Sequence, residues 1–203
     1  MIKAILFDLD GVLVNMPDGH YEAFNKALSL FGANIERIEH DNKFNGLPTR
    51  KKLEELERQG RLPLGLRDFI NNMKQKYTKE IIPKYCKPDY SKIILLENLK
   101  RRKFKLACCS NSTKETLHIM LKSANLFDFF DVIIGNDEVN NTKPNPEMYL
   151  KALKQLGVKP EESIIVEDSP HGITAAKASG ATVYEVRGVD DVNTSLFEKI
   201  IFK

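Results

Sequence analysis

The chain has 203 residues, 42% of them hydrophobic and 29% charged, with a formal net charge of +3. That length supports a full hydrophobic core with room for a smaller inserted unit, and the composition is that of an ordinary globular protein. Its lysines and arginines are scattered rather than gathered into one stripe, which excludes a dedicated nucleic-acid binder; the N-terminus reads as neither a signal peptide nor a membrane span.

Ala4 to Phe7 is a compact apolar run ending in acidic residues and Gly11, the pattern of a buried parallel strand. From Asp18 to Phe31 the apolar spacing becomes helical, with Gly32 as its stop. Thr49 to Gln59, closed by Gly60, predicts a second helix, and Leu66 to Ile81, ended by Pro83, a third. Beyond Pro88 the two kinds of element alternate. Ile93 to Leu99 suits a helix, whose basic end Lys100 to Lys103 is expected to be solvated and to complement the helix dipole. Phe104 to Cys109 follows as a strand, and Ser112 with Glu115 forms a capping-box pattern ahead of Leu117, Met120 and Leu121. Val132 to Ile134 is a strand ending at Gly135, and Pro146 opens a helix through Leu156. Ile164 to Val166 is a strand, Pro170 to Ser179 a helix, and Thr182 to Val186 a last strand.

This alternation predicts an α/β fold with a doubly wound parallel sheet, formed by residues 1–14 and 87–203. The helical stretch 15–86 then reads as an inserted all-helical cap. Three cysteines make a poor disulfide framework; the neighbours Cys108 and Cys109 should point to opposite faces of a strand as small buried residues, and a reducing cytoplasm is the expected location.

Ligands of open parallel sheets bind just beyond the carboxyl ends of the strands. Four separate segments end there in residues suited to phosphate chemistry: Asp8-Leu9-Asp10-Gly11, Ser110-Asn111, Lys143-Pro144 and Glu167-Asp168-Ser169. A carboxylate can attack phosphorus and form an aspartyl phosphate, and a second carboxyl two residues on can protonate the leaving oxygen and later deprotonate water. Carboxylates alone repel a phosphoryl group, so a divalent cation must bridge them, and hard oxygen ligands favour Mg²⁺. A lysine offsets charge on the equatorial oxygens, which a serine hydroxyl and backbone N–H groups hold. Any one of these acidic residues alone would more readily be a turn former or helix cap.

Together, Asp8-Leu9-Asp10-Gly11-Val12, Ser110-Asn111, Lys143-Pro144-Asn145-Pro146 and Glu167-Asp168-Ser169-Pro170-His171-Gly172 resemble the four ordered motifs of the haloacid dehalogenase superfamily. The spacing and the helical insertion are similar to its branch of beta-phosphoglucomutase and phosphoglycolate-type phosphatases, with a Rossmann-like core. The resemblance implies that Asp8 is the nucleophile and a metal ligand, and that Asp10 is the acid/base and lends its carbonyl to the metal. It implies that Ser110, Asn111 and Lys143 bind the transferring phosphoryl, that Asp168 ligates Mg²⁺, and that Glu167 does so directly or through water.

In the cap, His20 falls where members of this branch often have a histidine facing the site, and Gly46-Leu47-Pro48-Thr49-Arg50 resembles the substrate-facing turn. Arg50 could grip a second phosphate or a carboxylate, or simply be solvated; Lys76 is a further candidate substrate contact. His40, His118 and His171 show no metal-ligand grouping and are read as surface residues. Two departures from the branch stand out: Asn15 where an aspartate is usual, and Pro88-Asp89-Tyr90 in place of a proline-plus-glycine turn. The resemblance implies a monomer acting on small phosphorylated metabolites. A phosphatase leads, and a sugar-phosphate mutase is the alternative, since both use the same core carboxylates.

Overall fold

The computed structural model describes residues 1–44 and 47–201, with 196 and 199–201 described by their backbone alone. The first apolar run forms β1 (Ala4–Phe7), all four residues buried. A strand covered on both faces needs no polar alternation, and β1 has none because it lies at the centre of the sheet. On one side β1 pairs in parallel with β2 (Lys105–Cys109), on the other with β4 (Ser163–Glu167). Outside these lie β3 (Val132–Ile134) and β5 (Thr182–Glu185), giving the order β3-β2-β1-β4-β5.

Two cores follow from the two faces. Ile5, Phe7, Leu106, Cys108 and Val166 pack with Leu95 and Leu99 of α5 (Tyr90–Arg101) and Leu117 and Met120 of α6 (Lys114–Ser123). Leu6, Ala107, Cys109 and Ile165 pack with Met148, Tyr149 and Ala152 of α7 (Glu147–Leu156) and Ala175 of α8 (Pro170–Ala178). Cys108 and Cys109 therefore face opposite cores, as their adjacency in a strand requires.

Between β1 and β2 lies the helical insertion: α1 (Pro17–Ser29), α2 (Arg37–Glu39) running into a π-helical turn over His40–Phe44, α3 (Thr49–Arg58) and α4 (Arg67–Tyr85). It has a core of its own, built from Phe24, Leu28, Ile35, Phe44, Leu53, Leu56 and Ile70. At its base Met16, Ile82 and Cys86 belong instead to the core of the sheet, with the Cys86 thiol 3.9 Å from the Met16 sulfur.

Several boundaries differ from those the sequence predicts. Pro83 does not end α4; it lies inside the helix, which continues to Tyr85 and closes with Cys86 N–H donating to the Ile82 carbonyl at 2.8 Å. Only the last turn follows this proline, so the loss is one backbone bond near an end that frays anyway. Ser112 is not the cap of α6. Thr113 takes that place, its hydroxyl facing Thr116 N at 3.4 Å, while Glu115 pairs with Lys79 of α4 at 2.7 Å. Pro146 stands just ahead of α7 rather than within it, and α7 ends as expected at Leu156, where Gly157 follows with a φ of +64°. The unusual Pro88-Asp89-Tyr90 turn has a local reason: the Asp89 carboxylate accepts from Ser91 N at 2.8 Å and caps α5.

Lys92 of α5 is buried, and its ammonium donates to the carbonyls of Val189 and Val192 at 2.5 and 2.6 Å. That pair of bonds fastens the chain ahead of α9 (Thr194–Ile201) to the sheet's flank. Lys92→Met keeps the stem and removes the donors, and is expected to lower the unfolding free energy by about 1–3 kcal/mol. Urea titration reads it; an unchanged midpoint would show that the two carbonyls find equivalent partners.

Candidate active site

The register of the sheet brings the motif residues level. Phe7 lies opposite Cys108 on one side and Val166 on the other, so Asp8, Cys109 and Glu167 come next, side by side. Asp8 N–H donates to the Val166 carbonyl at 3.0 Å and Ser110 N–H to the Ile134 carbonyl at 3.1 Å, extending the ladders one step past the strands. Lys143 enters from the loop beyond β3. Its ammonium donates to Asp8 Oδ1 at 2.7 Å, Glu167 Oε1 at 2.5 Å and the Cys109 carbonyl at 2.9 Å.

Glu167 is fully buried and uses both oxygens. Oε1 also accepts from the Tyr149 hydroxyl at 2.5 Å, and Oε2 accepts from Asp168 N, Ser169 N and Ser169 Oγ at 3.1, 3.4 and 3.3 Å. Its carboxylate lies against Gly172 of α8, where a Cβ would stand 1.9 Å from Oε1. Asn111 clasps the Lys143 backbone: Oδ1 accepts from Lys143 N at 3.1 Å and Nδ2 donates to the Lys143 carbonyl at 3.4 Å. Asn111 also lines the cavity above, as do Ser110, Asp8 and Asp10.

Asp8, Glu167 and Asp168 each bring an oxygen to within 4.8 Å of the others. Asp168 Oδ1 is buried without a hydrogen-bond partner. Asp168 Oδ2 lies over Gly11, where a Cβ would stand 2.0 Å away and where φ is +83°. With Asp10, four carboxylates gather at this floor, and the Lys143 ammonium bonds two of them, Asp8 and Glu167. Burial pushes the Asp8 carboxyl well above the usual range, and Glu167, Asp168 and Asp10 add to that against the pull of Lys143. Burial, Glu167 and Asp10 push Asp168 up to about 7. The Lys143 ammonium is disfavoured by burial, yet Asp8 and Glu167 outweigh this and raise it. Crowded carboxylates with an orphaned oxygen are what a hard divalent cation fits, and Asp8 and Asp168 have the freedom to ligate it. Glu167, with both oxygens already engaged, sits at the edge of that set.

Above this floor opens a cavity of about 590 Å³ whose other wall is the helical insertion. His20 faces it as expected, its Nε2 3.0 Å from Asp10 Oδ1 and its Nδ1 3.4 Å from the Lys74 ammonium. Leu47, Pro48, Thr49 and Arg50 line the wall; Gly46 lies outside the described residues. Arg50 is paired with Asp68 at 2.9 Å on an exposed edge.

Two expectations fail here. Lys76 is exposed and does not line the cavity; Lys74 does, and two helical residues amount to about 200° of rotation, which is the opposite face. His40 is not a surface residue: it is 1% exposed and lines the cavity, Nε2 3.4 Å from the Lys52 ammonium and Nδ1 3.3 Å from Asp41 Oδ1. His118 and His171 are half-buried and line no part of the cavity. Lys52 and Lys74 are marked in the sequence by their helical spacing. Thr49, Lys52, Leu53 and Leu56 form the buried stripe of α3, and Ile70, Lys74, Thr78 and Ile82 that of α4, so each lysine occupies a core position.

Gly172→Ala would drive a methyl into the Glu167 carboxylate. It is expected to destabilise the fold by about 1–3 kcal/mol, measured as a lower denaturation midpoint; a neutral effect would mean that Glu167 moves freely. His40 gives a pH dependence. Burial, then Lys52, lower its imidazole to about 4, whereas the unfolded chain titrates near about 6.5. Below that pH the unfolded chain binds a proton the folded one does not, so stability present at pH 7 is lost as the pH falls toward 4. Urea midpoints at pH 7 and pH 5 should diverge, and His40→Gln should narrow the gap.

Residues 5–186 match the haloacid dehalogenase-like hydrolase family. A phosphorylated carbohydrates phosphatase of Thermotoga maritima is 30% identical over 182 residues, covering 88% of this chain and 82% of that protein. The phosphoglycolate phosphatase of Aquifex aeolicus is 35% identical over 181 residues, 88% of this chain and 82% of its own. Among solved structures, CbbY of Rhodobacter sphaeroides in complex with phosphate has a TM-score of 0.82 at 27% identity, covering 93% of this chain and 87% of that one. The beta-phosphoglucomutase of Clostridium difficile shares the fold at a TM-score of 0.83 and 23% identity over 100% of both chains. With a matching sequence span that includes residues from every strand of the sheet and every carboxylate at its tip, the protein belongs to the enzymes of the haloacid dehalogenase-like hydrolase family.

Proposed function

We propose that the protein is a Mg²⁺-dependent phosphatase of small-molecule phosphate monoesters that works through an aspartyl phosphate on Asp8. One observation carries this: Asp8 stands at the floor of a metabolite-sized cavity, with Lys143 at 2.7 Å and the orphaned Asp168 oxygen beside it. The names of the sequence relatives, a phosphorylated carbohydrates phosphatase and a phosphoglycolate phosphatase, support the same activity.

Mg²⁺, held by Asp8, Asp168 and the Asp10 carbonyl with Glu167 alongside, would neutralise charge between the nucleophile and the phosphoryl oxygens. The protein's own residues do the rest. An Asp8 carboxylate oxygen attacks phosphorus, and the bond to the leaving oxygen breaks as Asp10 delivers a proton to it. Asp10 then takes a proton from the water that cleaves the aspartyl phosphate, returning Asp8 to its carboxylate. His20, at 3.0 Å, orients the Asp10 carboxyl for both transfers. Lys143 and the Ser110 hydroxyl bind the equatorial oxygens, and Asn111 keeps Lys143 in place through its backbone.

The insertion, residues 15–86, acts in this proposal as a cap that closes over the substrate and limits the entry of water. The enzyme works as a monomer in the cytoplasm, on metabolites small enough for the cavity. No helix among the described residues is long and apolar enough to cross a membrane.

A phosphate-release screen over metabolite phosphoesters tests the proposal. Release should require Mg²⁺ and stop with a chelator, and Asp8→Asn should reduce it by about 10³-fold or more in protein that still melts cooperatively. Activity retained by that variant would remove Asp8 from its role. Conversion of β-glucose 1-phosphate to the 6-phosphate without phosphate release would assign a mutase instead.

A further inference from the structure

Tyr149 stands behind the floor of the cavity and does not line it. It is wholly buried on α7, in the core that also holds Leu6, Ala107, Met148 and Ala152. A phenylalanine would fill that space without taking a hydroxyl out of water, which is costly. The Tyr149 hydroxyl donates to Glu167 Oε1 at 2.5 Å, and its ring centroid lies 4.8 Å from the Lys143 ammonium. That same oxygen is the one Lys143 serves, also at 2.5 Å.

The simplest account is a buried hydroxyl that takes the nearest acceptor. The distribution of donors argues against it. Glu167 Oε2 accepts from Asp168 N, Ser169 N and Ser169 Oγ, and Oε1 from Lys143, so this carboxylate is provided for without the tyrosine. What is scarce is the ammonium. Its three N–H groups go to Asp8 Oδ1 at 2.7 Å, Glu167 Oε1 at 2.5 Å and the Cys109 carbonyl at 2.9 Å. Of the two carboxylates, Glu167 has the shorter bond and no exposure, whereas Asp8 is 7% exposed. A buried carboxylate is costly without a counter-charge, so Glu167 left to itself would draw the ammonium away from Asp8. A hydroxyl on the contested oxygen relieves part of that charge through a charge-assisted bond and brings no second cation.

We infer that Tyr149 is a positioning residue for the phosphoryl transfer: by donating to Glu167 it sets how the Lys143 ammonium is divided between Glu167 and Asp8. This rests on the proposed hydrolase activity. As Asp8 bonds to phosphorus its carboxylate gives up its charge, and the N–H that served it is released to an equatorial oxygen of the phosphoryl. The ammonium can follow only where the rival pull of Glu167 is weak, and Tyr149 weakens it from the far side of the carboxylate. Its contribution therefore belongs to the transfer step and not to substrate binding.

Tyr149→Phe keeps the ring and removes only the hydroxyl. At saturating Mg²⁺, kcat for phosphate release should fall about tenfold, the worth of one hydrogen bond to a charged group, while KM changes less than about threefold. An unchanged kcat with only a lower melting temperature, or a loss confined to KM, would reduce Tyr149 to a packing residue and overturn the inference. A second variant checks the partner. In a Glu167→Gln background the neutral amide exerts no comparable pull, so adding Tyr149→Phe should change kcat by less than about twofold; a full tenfold loss there would also overturn it. A measurement without turnover separates this role from the activity itself. Trifluoroberyllate imitates a phosphoryl on an aspartate, and with Mg²⁺ present it is titrated by fluorine NMR against wild type and Tyr149→Phe, with Asp8→Asn as the blank. The phenylalanine variant should bind it about tenfold more weakly, and equal affinity would count against the role. If the wild type releases phosphate from no ester while that difference holds, the hydrolase proposal fails and Tyr149 still positions Lys143.

Discussion

The Lys143 ammonium, enclosed between the carboxylates of Asp8 and Glu167, is the interaction on which the rest of the site depends. Without it, two buried carboxylates could not share the tip of the sheet; removing one partner from such a buried pair costs about 3–5 kcal/mol. Its surroundings are shaped to keep it there. Tyr149 and the backbone after β4 hold Glu167, Gly172 leaves room for that carboxylate, and Asn111 fixes the loop that delivers the lysine. The stability of the sheet's tip and the proposed chemistry therefore draw on the same group.

The sheet was legible because its determinants are local and repeated. Short apolar runs punctuated by glycine and proline identify β1, β4 and the helices between them; the acidic and hydroxyl motifs fall at strand ends whose parallel order places them together, and the lysine motif in the loop beyond β3. What the chain could not disclose locally was decided by tertiary contact. Pro83 reads as a stop, yet α4 carries it because Ile82 and Cys86 are drawn into the core of the sheet. The cap of α6 shifted from Ser112 to Thr113, since Glu115 finds Lys79 across an interface rather than its own backbone.

The helical insertion was the least legible part for the same reason. A lysine in a helix is ordinarily solvated, so nothing local marks Lys52 and Lys74 as the buried ones although they occupy apolar stripes, or Lys76, two residues along, as the one that faces away. His40 has no ligand-like spacing in sequence. Its place is set by the π-helical turn that follows α2, which no simple periodicity announces. The core's charges are fixed by strand geometry, whereas the cap's depend on how four helices pack around a core of their own.

The insertion leaves and rejoins the sheet through Met16 and Cys86, whose sulfur atoms touch at 3.9 Å. Such adjacent points of departure and return behave like the two ends of a stalk. Helices can lengthen, shorten or be exchanged above it while strand register below stays as it is, because that register is set by the ladders of β1 with β2 and β4. The floor of the cavity and the helical wall opposite it are thus free to diverge at different rates within one chain.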